Sequence, residues 1–142
     1  MPPEIQIRTY NPDTDEALIY NSFLNSYIRN ALKDTKYPLP SMIRHIDRSL
    51  FFKYYTSELN TIMLDPNLEV LVACWTARPD EIFGWCIKQD ANLIYVYVKE
   101  KYRGRGVARA LVMKLFDSQP YIKYSTSAGI GLVRHLFDEE LS

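Results

Sequence analysis

One segment constrains the fold of this chain more than any other, because a strand-like run leads through two glycines into a helical pattern. Residues 92–98, Asn-Leu-Ile-Tyr-Val-Tyr-Val, are rich in the β-branched and aromatic residues that favour strands. Apolar residues then recur at three- and four-residue spacing from Gly104 to Phe116, as on the buried face of a helix. The order strand, glycine turn, helix predicts one unit in which strands and helices mix.

The glycine turn is also suited to an anion. Glycine lets the backbone approach a ligand closely, and the first amides of a helix lack internal partners and carry the positive end of the helix dipole. Arg103 and Arg105 add positive charge. We therefore expect the turn between Val98 and Val107, called the glycine corner below, to bind phosphate. The alternative is a solvated basic loop. A Walker P-loop is excluded because no Lys-Ser or Lys-Thr follows the second glycine, and a dinucleotide fingerprint lacks its three spaced glycines.

The first half of the chain predicts a strand and two helices. Residues 4–8 alternate polar and apolar, as in a strand with one buried face. Asn11 and the acidic residues after it predict the start of a helix that runs to about Asn30. A proline-rich loop at residues 36–40 follows, and Ser41 is placed to cap a second helix that ends near Asn60. Its aromatic run at residues 51–55 is typical of core, although exposed tyrosines there could line a substrate pocket.

Three strand-like runs, at residues 69–75, 82–88 and 93–98, predict a meander. Pairing about position 80 would set Trp75 opposite Trp85 and Cys74 opposite Cys86, although a slipped register fits the letters equally well. After the glycine corner, residues 121–125 predict a fifth strand and residues 130–137 a short last helix.

Composition narrows the function classes. The chain has 142 residues with 17 basic and 17 acidic side chains, which predicts one domain over residues 1–142 and argues against the broad basic field of nucleic-acid binders. Its apolar runs are too short to cross a bilayer and its start lacks a signal pattern, so we expect a cytoplasmic protein without membrane contact. The two cysteines predict reduced thiols, and no metal-ligand spacing occurs.

The glycine corner resembles motif A of the GNAT acyl-CoA N-acyltransferase superfamily, Gln/Arg-x-x-Gly-x-Gly/Ala. Arg103, Gly106 and Ala108 match that motif, and its position after a meander preceded by a strand and two helices is similar as well. The resemblance covers residues 5–125 loosely and residues 93–115 sharply. The letters around the corner, Tyr-Val-Tyr-Val-Lys and Tyr-Arg-Gly-Arg-Gly-Val-Ala-Arg, also look like small GNAT-like proteins of tailed phages, which would place the chain in a host cytoplasm.

The resemblance implies an α+β fold with a mixed sheet, shortened at the C-terminus because the chain closes before the family's usual last two strands. It implies acetyl-CoA as cosubstrate, without a metal, and a primary amine of a small molecule or protein as acceptor, attacking directly in a ternary complex. A fourth strand that splays from its neighbour would bind pantetheine, and main-chain amides of the corner would hold the pyrophosphate. The implied cofactor-binding residues are Val96, Tyr97, Val98, Arg103, Gly104, Arg105, Gly106, Val107 and Ala108.

Acyl transfer also needs a donor to the thioester oxygen and a route for the amine proton. The resemblance implies the N–H of Val98 as that donor. The family's acidic residue is missing from the fourth strand, so the general base is unassigned: Tyr95 could relay a proton through water, while Glu69 and Glu81 at strand ends are more often solvated. The family's tyrosine in the last helix is missing too, and His135 is the nearest titratable replacement, with a surface role as its alternative.

These departures keep two further hypotheses open. A catalytically silent GNAT-like protein could retain the CoA site for binding or for protein interaction. A third hypothesis places a nucleic-acid patch at the basic residues around Tyr102, which charge neutrality elsewhere makes less favourable. The oligomeric state stays open in the sequence, a homodimer included. The basic residues of that patch are Lys99, Lys101, Arg103, Arg105 and Arg109.

Overall fold

The computed structural model describes residues 4–33 and 48–137. The elements in chain order are β1 (Ile5–Thr9), α1 (Pro12–Lys33), α2 (Arg48–Met63), β2 (Glu69–Trp75), β3 (Arg78–Gln89), β4 (Asn92–Val98), a 3-10 turn (Glu100–Tyr102), α3 (Val107–Leu115), β5 (Tyr121–Ile122) and α4 (Ser127–Phe137). The predicted proline-rich loop and the cap at Ser41 lie outside the described residues.

The five strands form one sheet in the order β1-β2-β3-β4-β5. The first four are antiparallel neighbours, and β5 runs parallel to β4. This mixed sheet with helices confirms the α+β expectation. The predicted elements are present, but β5 has two residues rather than five, and α4 begins at Ser127, three residues earlier than predicted.

The predicted strand pairing about position 80, which set Trp75 opposite Trp85 and Cys74 opposite Cys86, is wrong. Val72, not Trp75, lies opposite Trp85, and Leu71 lies opposite Cys86. The reason is that β3 begins at residue 78, so only two residues connect it to β2, and irregular pairing near the end of β2 shifts the register further. Both cysteines are buried and free, as expected of packed thiols.

The sheet separates two apolar layers. On one side, α1 and α2 pack an aromatic cluster on the sheet, with Phe23, Tyr55 and Trp85 among its buried residues. On the other side, α3 and α4 cover a second cluster that includes Phe83 and Leu111. The indole N–H of Trp85 donates to the hydroxyl of Ser22 at 2.7 Å, which ties α1 to the centre of the sheet.

Alternation along β4 assigns its side chains to these layers. Tyr95 and Tyr97 pack with the α1 and α2 layer, and Val96 and Val98 pack with the α3 and α4 layer. Strand β4 therefore presents aromatic side chains to one face and small aliphatic ones to the other. Among the described helices, none is long and apolar enough to span a membrane.

Candidate functional site

The cleft of this molecule arises where β4 and β5 part. The two strands pair only at the start of β4, with Asn92 opposite Tyr121 and Leu93 opposite Ile122. The last backbone contact between the two segments is a 3.4 Å hydrogen bond from the N–H of Tyr124 to the carbonyl of Ile94. Beyond that point, no strand of the described residues pairs with the outer edge of β4.

Backbone groups on that outer edge face the opening. The N–H of Lys99 donates to the carbonyl of Phe83 in β3 at 2.8 Å. Because hydrogen-bonding direction alternates along an antiparallel strand, the amide of Tyr97 also faces β3, whereas Val96 and Val98 face away from it. The N–H groups of Val96 and Val98 are therefore directed at the opening between β4 and β5.

The side chain of Arg103 contacts the C-terminal end of β4. Its Nε donates to the carbonyl of Val98 at 2.8 Å, and its guanidinium carbon lies 6.0 Å from the ring centroid of Tyr97. The side chain is thus fixed beside the exposed strand edge, where its charge favours an anionic ligand. The backbone N–H of Arg103 is used within the 3-10 turn, where it donates to the carbonyl of Glu100 at 3.2 Å.

The glycine corner presents the first amides of α3. Gly104 and Gly106 have φ angles of 77° and 80°, in the left-handed region that favours glycine. Gly106 is the N-cap of α3, and no side chain of the described residues caps that helix. The first intrahelical bond runs from the N–H of Ala110 to the carbonyl of Gly106, so the preceding amides of the helix lack helical partners.

The strand edge and the corner line one cleft of about 380 Å³. Every predicted cofactor-binding residue lines it except Arg105, whose guanidinium carbon lies 5.7 Å from the ring of Tyr102 on the exposed side of the corner. The cleft passes through the sheet, because its walls include side chains from both layers. The lining residues are Ser26, Asn30, Leu93, Tyr95, Val96, Tyr97, Val98, Tyr102, Arg103, Gly104, Gly106, Val107, Ala108, Arg109, Ile122, Tyr124, Thr126, Ala128, Gly129 and Leu132.

The charged side chains that line the cleft are all positive. Arg103 and Arg109 are the charged residues among those lining it in the described part of the chain, and no carboxylate joins them. Unpaired N–H groups and guanidinium groups together favour a phosphate-bearing ligand. No group of three or more His, Cys, Asp or Glu within residues 4–33 and 48–137 is placed to hold a metal ion.

Tyr95 lies where the cleft reaches the α1 layer. Its hydroxyl and that of Ser26 are 2.9 Å apart. Burial raises the pKa of Tyr95, while hydrogen bonds from Ser26 and Asn30 and the charge of Arg103 oppose that rise. The phenol is therefore protonated at neutral pH, so it can pass a proton along a hydrogen-bonded chain but cannot act as a resident anionic base.

The other candidate catalytic residues lie elsewhere. His135 is exposed in the last turn of α4 and is not among the residues that line the cleft. Glu69 pairs with Lys88 at 3.4 Å, and Glu81 pairs with Arg78 at 3.2 Å, so both carboxylates are engaged at strand ends. The structure gives none of the three a place at the cleft.

Tyr124 is a cleft residue that the sequence did not single out. It is buried at the point where β5 leaves β4, and its ring lines the cleft between Phe23, Tyr27 and Tyr55. Its hydroxyl has no hydrogen-bond partner among the described residues. Burial raises the pKa of Tyr124, and the nearby Glu58 raises it further, so the hydroxyl stays protonated.

Comparison with known proteins identifies the family. A sequence model of the Acetyltransferase (GNAT) family matches residues 27–118, from the middle of α1 to just beyond α3. That segment is more than half of the chain and contains the strand edge and the glycine corner. No curated protein sequence matches the chain.

Solved structures show the same fold. A GCN5-related N-acetyltransferase from Rhodopseudomonas palustris superposes with a TM-score of 0.54 at 18% identity, over 81% of this chain and 66% of its own, so this chain spans slightly less than two thirds of it. A ribosomal-protein-alanine N-acetyltransferase from Brucella melitensis gives 0.53 at 20% identity, over 96% of this chain and 90% of its own. The PaiA N-acetyltransferase from Thermoplasma acidophilum, in complex with coenzyme A, gives 0.50 at 14% identity, over 79% and 69%.

These structural similarities support the fold alone, whereas the family match covers the segment from which the cleft is built. The predicted resemblance to the GNAT superfamily is thereby confirmed. On the family match, the chain belongs to the GNAT family of acetyltransferases.

Proposed function

We propose that this protein is an acetyl-CoA-dependent N-acetyltransferase that acts on a primary amine by direct attack in a ternary complex. One observation carries the proposal: unpaired main-chain N–H groups of a strand edge and of an uncapped helix start line a single cleft. The family match supports the same class of chemistry.

The cleft fits coenzyme A in its polar chemistry. The amides of Val107 and Ala108, with the guanidinium groups of Arg103 and Arg109, would hold the phosphates. The outer-edge N–H and carbonyl of Val96 would bond the pantetheine amides. A Cβ added at Gly104 or Gly106 would meet no protein atom within 4 Å, so the corner leaves open space for a ligand.

Acetyl-CoA would supply an acetyl thioester. Transfer forms a bond between the amine nitrogen and the carbonyl carbon, breaks the carbon–sulfur bond, and requires that the amine lose a proton and the thiolate gain one. The N–H of Val98, which faces the opening, would donate to the carbonyl oxygen as its charge grows. This donor was implied by the resemblance, and its direction follows from the strand register.

Three hydroxyls are candidates for moving these protons. The Ser26–Tyr95 pair lies at the α1 end of the cleft and would relay the amine proton toward water. The unpartnered hydroxyl of Tyr124 is a donor that has no competing acceptor among the described residues. The first assignment would replace the missing acidic residue of the fourth strand, the second would replace the missing tyrosine of the last helix, and neither involves His135.

The proposal is tested by binding and turnover together. We expect acetyl-CoA to bind in calorimetry, and thiol release from acetyl-CoA to depend on an added primary amine. Tyr95→Phe should lower turnover at least tenfold without changing the dissociation constant of acetyl-CoA, whereas the exposed Tyr121→Phe should change neither. Absence of acetyl-CoA binding by the folded protein would refute the proposal.

A second candidate function is a CoA-binding protein without turnover. It is favoured by one observation, that no carboxylate lines the cleft among the described residues. Tight CoA binding with no amine-dependent thiol release across small amines, amino acids and peptide N-termini would decide for it. Amine-dependent release that is lost in Tyr95→Phe would decide against it.

A further inference from the structure

A second cavity adjoins the cleft on the α1 side of the sheet. It has a volume of about 290 Å³ and shares three residues with the cleft, namely Ser26, Tyr97 and Arg103. Because Ser26 bonds Tyr95, the two cavities meet at the hydroxyl pair described above. The lining residues are Leu18, Asn21, Ser22, Asn25, Ser26, Arg29, Tyr97, Glu100 and Arg103.

The charges of this cavity are not balanced. Arg29, Glu100 and Arg103 are the charged residues that line it, so the lining carries one more positive than negative charge. Arg29 lies on α1, across the cavity from the 3-10 turn, and has no ion-pair partner within the described part of the chain. Its guanidinium therefore places a positive charge on the α1 wall of the cavity, across from Glu100 and Arg103.

The volume of this cavity indicates the size of the ligand that it can enclose. Water occupies roughly 30 Å³ per molecule in the liquid, so 290 Å³ holds about ten non-hydrogen atoms. A compact amino acid fits within such a space, whereas a larger amine would extend beyond it into solvent. A polyamine fits by size, but its second ammonium would lie near Arg29 and be repelled by it.

We propose, on the basis of the acetyltransferase function proposed above, that this cavity receives the acceptor and selects a small primary amine that carries a carboxylate. The amine lies at the Ser26–Tyr95 junction, where the cleft with the acetyl group begins. The carboxylate pairs with Arg29. Arg29 is thus a specificity residue, and it takes no part in proton transfer.

Three amines of equal chain length test this selection. At saturating acetyl-CoA, thiol release is measured with 4-aminobutyrate, butylamine and 1,4-diaminobutane, in which the fourth carbon is a carboxylate, a methyl group or a methylene that carries an ammonium. We expect kcat/KM to be highest for 4-aminobutyrate and at least tenfold lower for 1,4-diaminobutane. A preference for the diamine would overturn the proposal.

The variant Arg29→Gln tests whether Arg29 is responsible for the preference for a carboxylate. The substitution should raise KM for 4-aminobutyrate at least tenfold, leave its kcat within twofold, and leave butylamine unchanged. Arg134→Gln on α4, which lines neither cavity, should change none of these values. An equal loss for all three amines in Arg29→Gln would contradict a role in recognising the carboxylate.

Binding measurements distinguish a failure of the acceptor proposal from a failure of the proposed function on which it rests. If acetyl-CoA binds but no amine is acetylated, calorimetry on the CoA complex still decides: 4-aminobutyrate should bind more tightly than butylamine, and Arg29→Gln should remove the difference. Equal binding of the two amines would overturn the acceptor proposal. Failure of acetyl-CoA itself to bind would instead refute the proposed function.

Discussion

At the scale of single residues, Asp15 shows how a buried charge can hold three segments together. Its carboxylate is fully buried and accepts two 2.8 Å hydrogen bonds from the guanidinium of Arg8 and a third from the N–H of Asn11. Arg8 also donates to the carbonyl of Pro79 at 2.7 Å. The pair therefore links β1, the start of α1 and the start of β3.

Asp15→Ala should destabilise the fold strongly. It would leave the partly buried guanidinium of Arg8 without its counter-ion, and breaking such a pair by removing one partner costs about 3 kcal/mol or more. Asp13→Ala, in the same helical turn, should cost less than about 1 kcal/mol because it removes only a favourable charge near the helix start. Urea unfolding of both variants measures the difference, and equal losses would contradict the account.

The carboxylate of Asp15 also makes the free energy of unfolding depend on pH in the acidic range. Burial alone would raise the pKa of Asp15, but hydrogen bonds from Arg8, Asn11 and Thr14 bring it below its usual value. A lowered folded-state pKa gives a contribution that is present above the unfolded pKa of about 3.9 and is lost as the pH falls through the folded value. The difference in urea midpoint between the wild type and Asp15→Ala should therefore be constant from pH 7 to 5 and shrink below about pH 4. A constant difference down to pH 2 would contradict the lowered pKa.

Tyr124→Phe should separate stability from activity. Removing a buried hydroxyl without a partner should leave the free energy of unfolding unchanged or raise it by about 1 kcal/mol. If that hydroxyl donates to the departing sulfur, turnover should fall at least tenfold at an unchanged dissociation constant for acetyl-CoA. Tyr20→Phe is the matched control: it loses a 2.7 Å bond to Asn60, so stability should fall and turnover should not. A loss of stability in Tyr124→Phe would show that its hydroxyl is bonded.

At the scale of elements, the start of α3 depends on backbone conformation more than on side chains. The sequence predicted the glycine turn and the helix after it correctly because the information is local: two glycines, two arginines and a helical stripe within fifteen residues. It could not predict that the amide of Tyr97 faces β3, because that depends on the register with a strand that lies some ten residues earlier. For the same reason the pairing of Trp75 with Trp85 was wrong.

Two glycine substitutions test the corner. An alanine Cβ would meet no protein atom within 4 Å at either Gly106 or Gly131, but only Gly106 has a positive φ. Gly106→Ala should therefore cost about 1–2 kcal/mol of stability and, by turning the first amides of α3, raise the dissociation constant of acetyl-CoA at least tenfold. Gly131→Ala, inside α4, should gain up to about 1 kcal/mol and leave binding unchanged. Equal binding by the two variants would contradict a main-chain phosphate site.

At the scale of the whole molecule, the cleft exists because β5 leaves β4 after two pairs. That parting opens a passage from the α3 layer to the α1 layer, so the two proposed ligands, one at the corner and one beside Arg29, would meet near Tyr95. Ser26 and Tyr124, distant along the chain, become neighbours of this passage through packing alone. No local pattern marks them, which is why sequence reasoning proposed His135 instead.

The most direct test of the account is the backbone amide spectrum of the ¹⁵N-labelled protein during titration with coenzyme A. We expect the largest shift changes at Gly104, Gly106, Val107 and Ala108, followed by Val96 and Val98, with Gly131 unaffected. Saturable binding that leaves the amides of the glycine corner unmoved would contradict it, whatever the affinity.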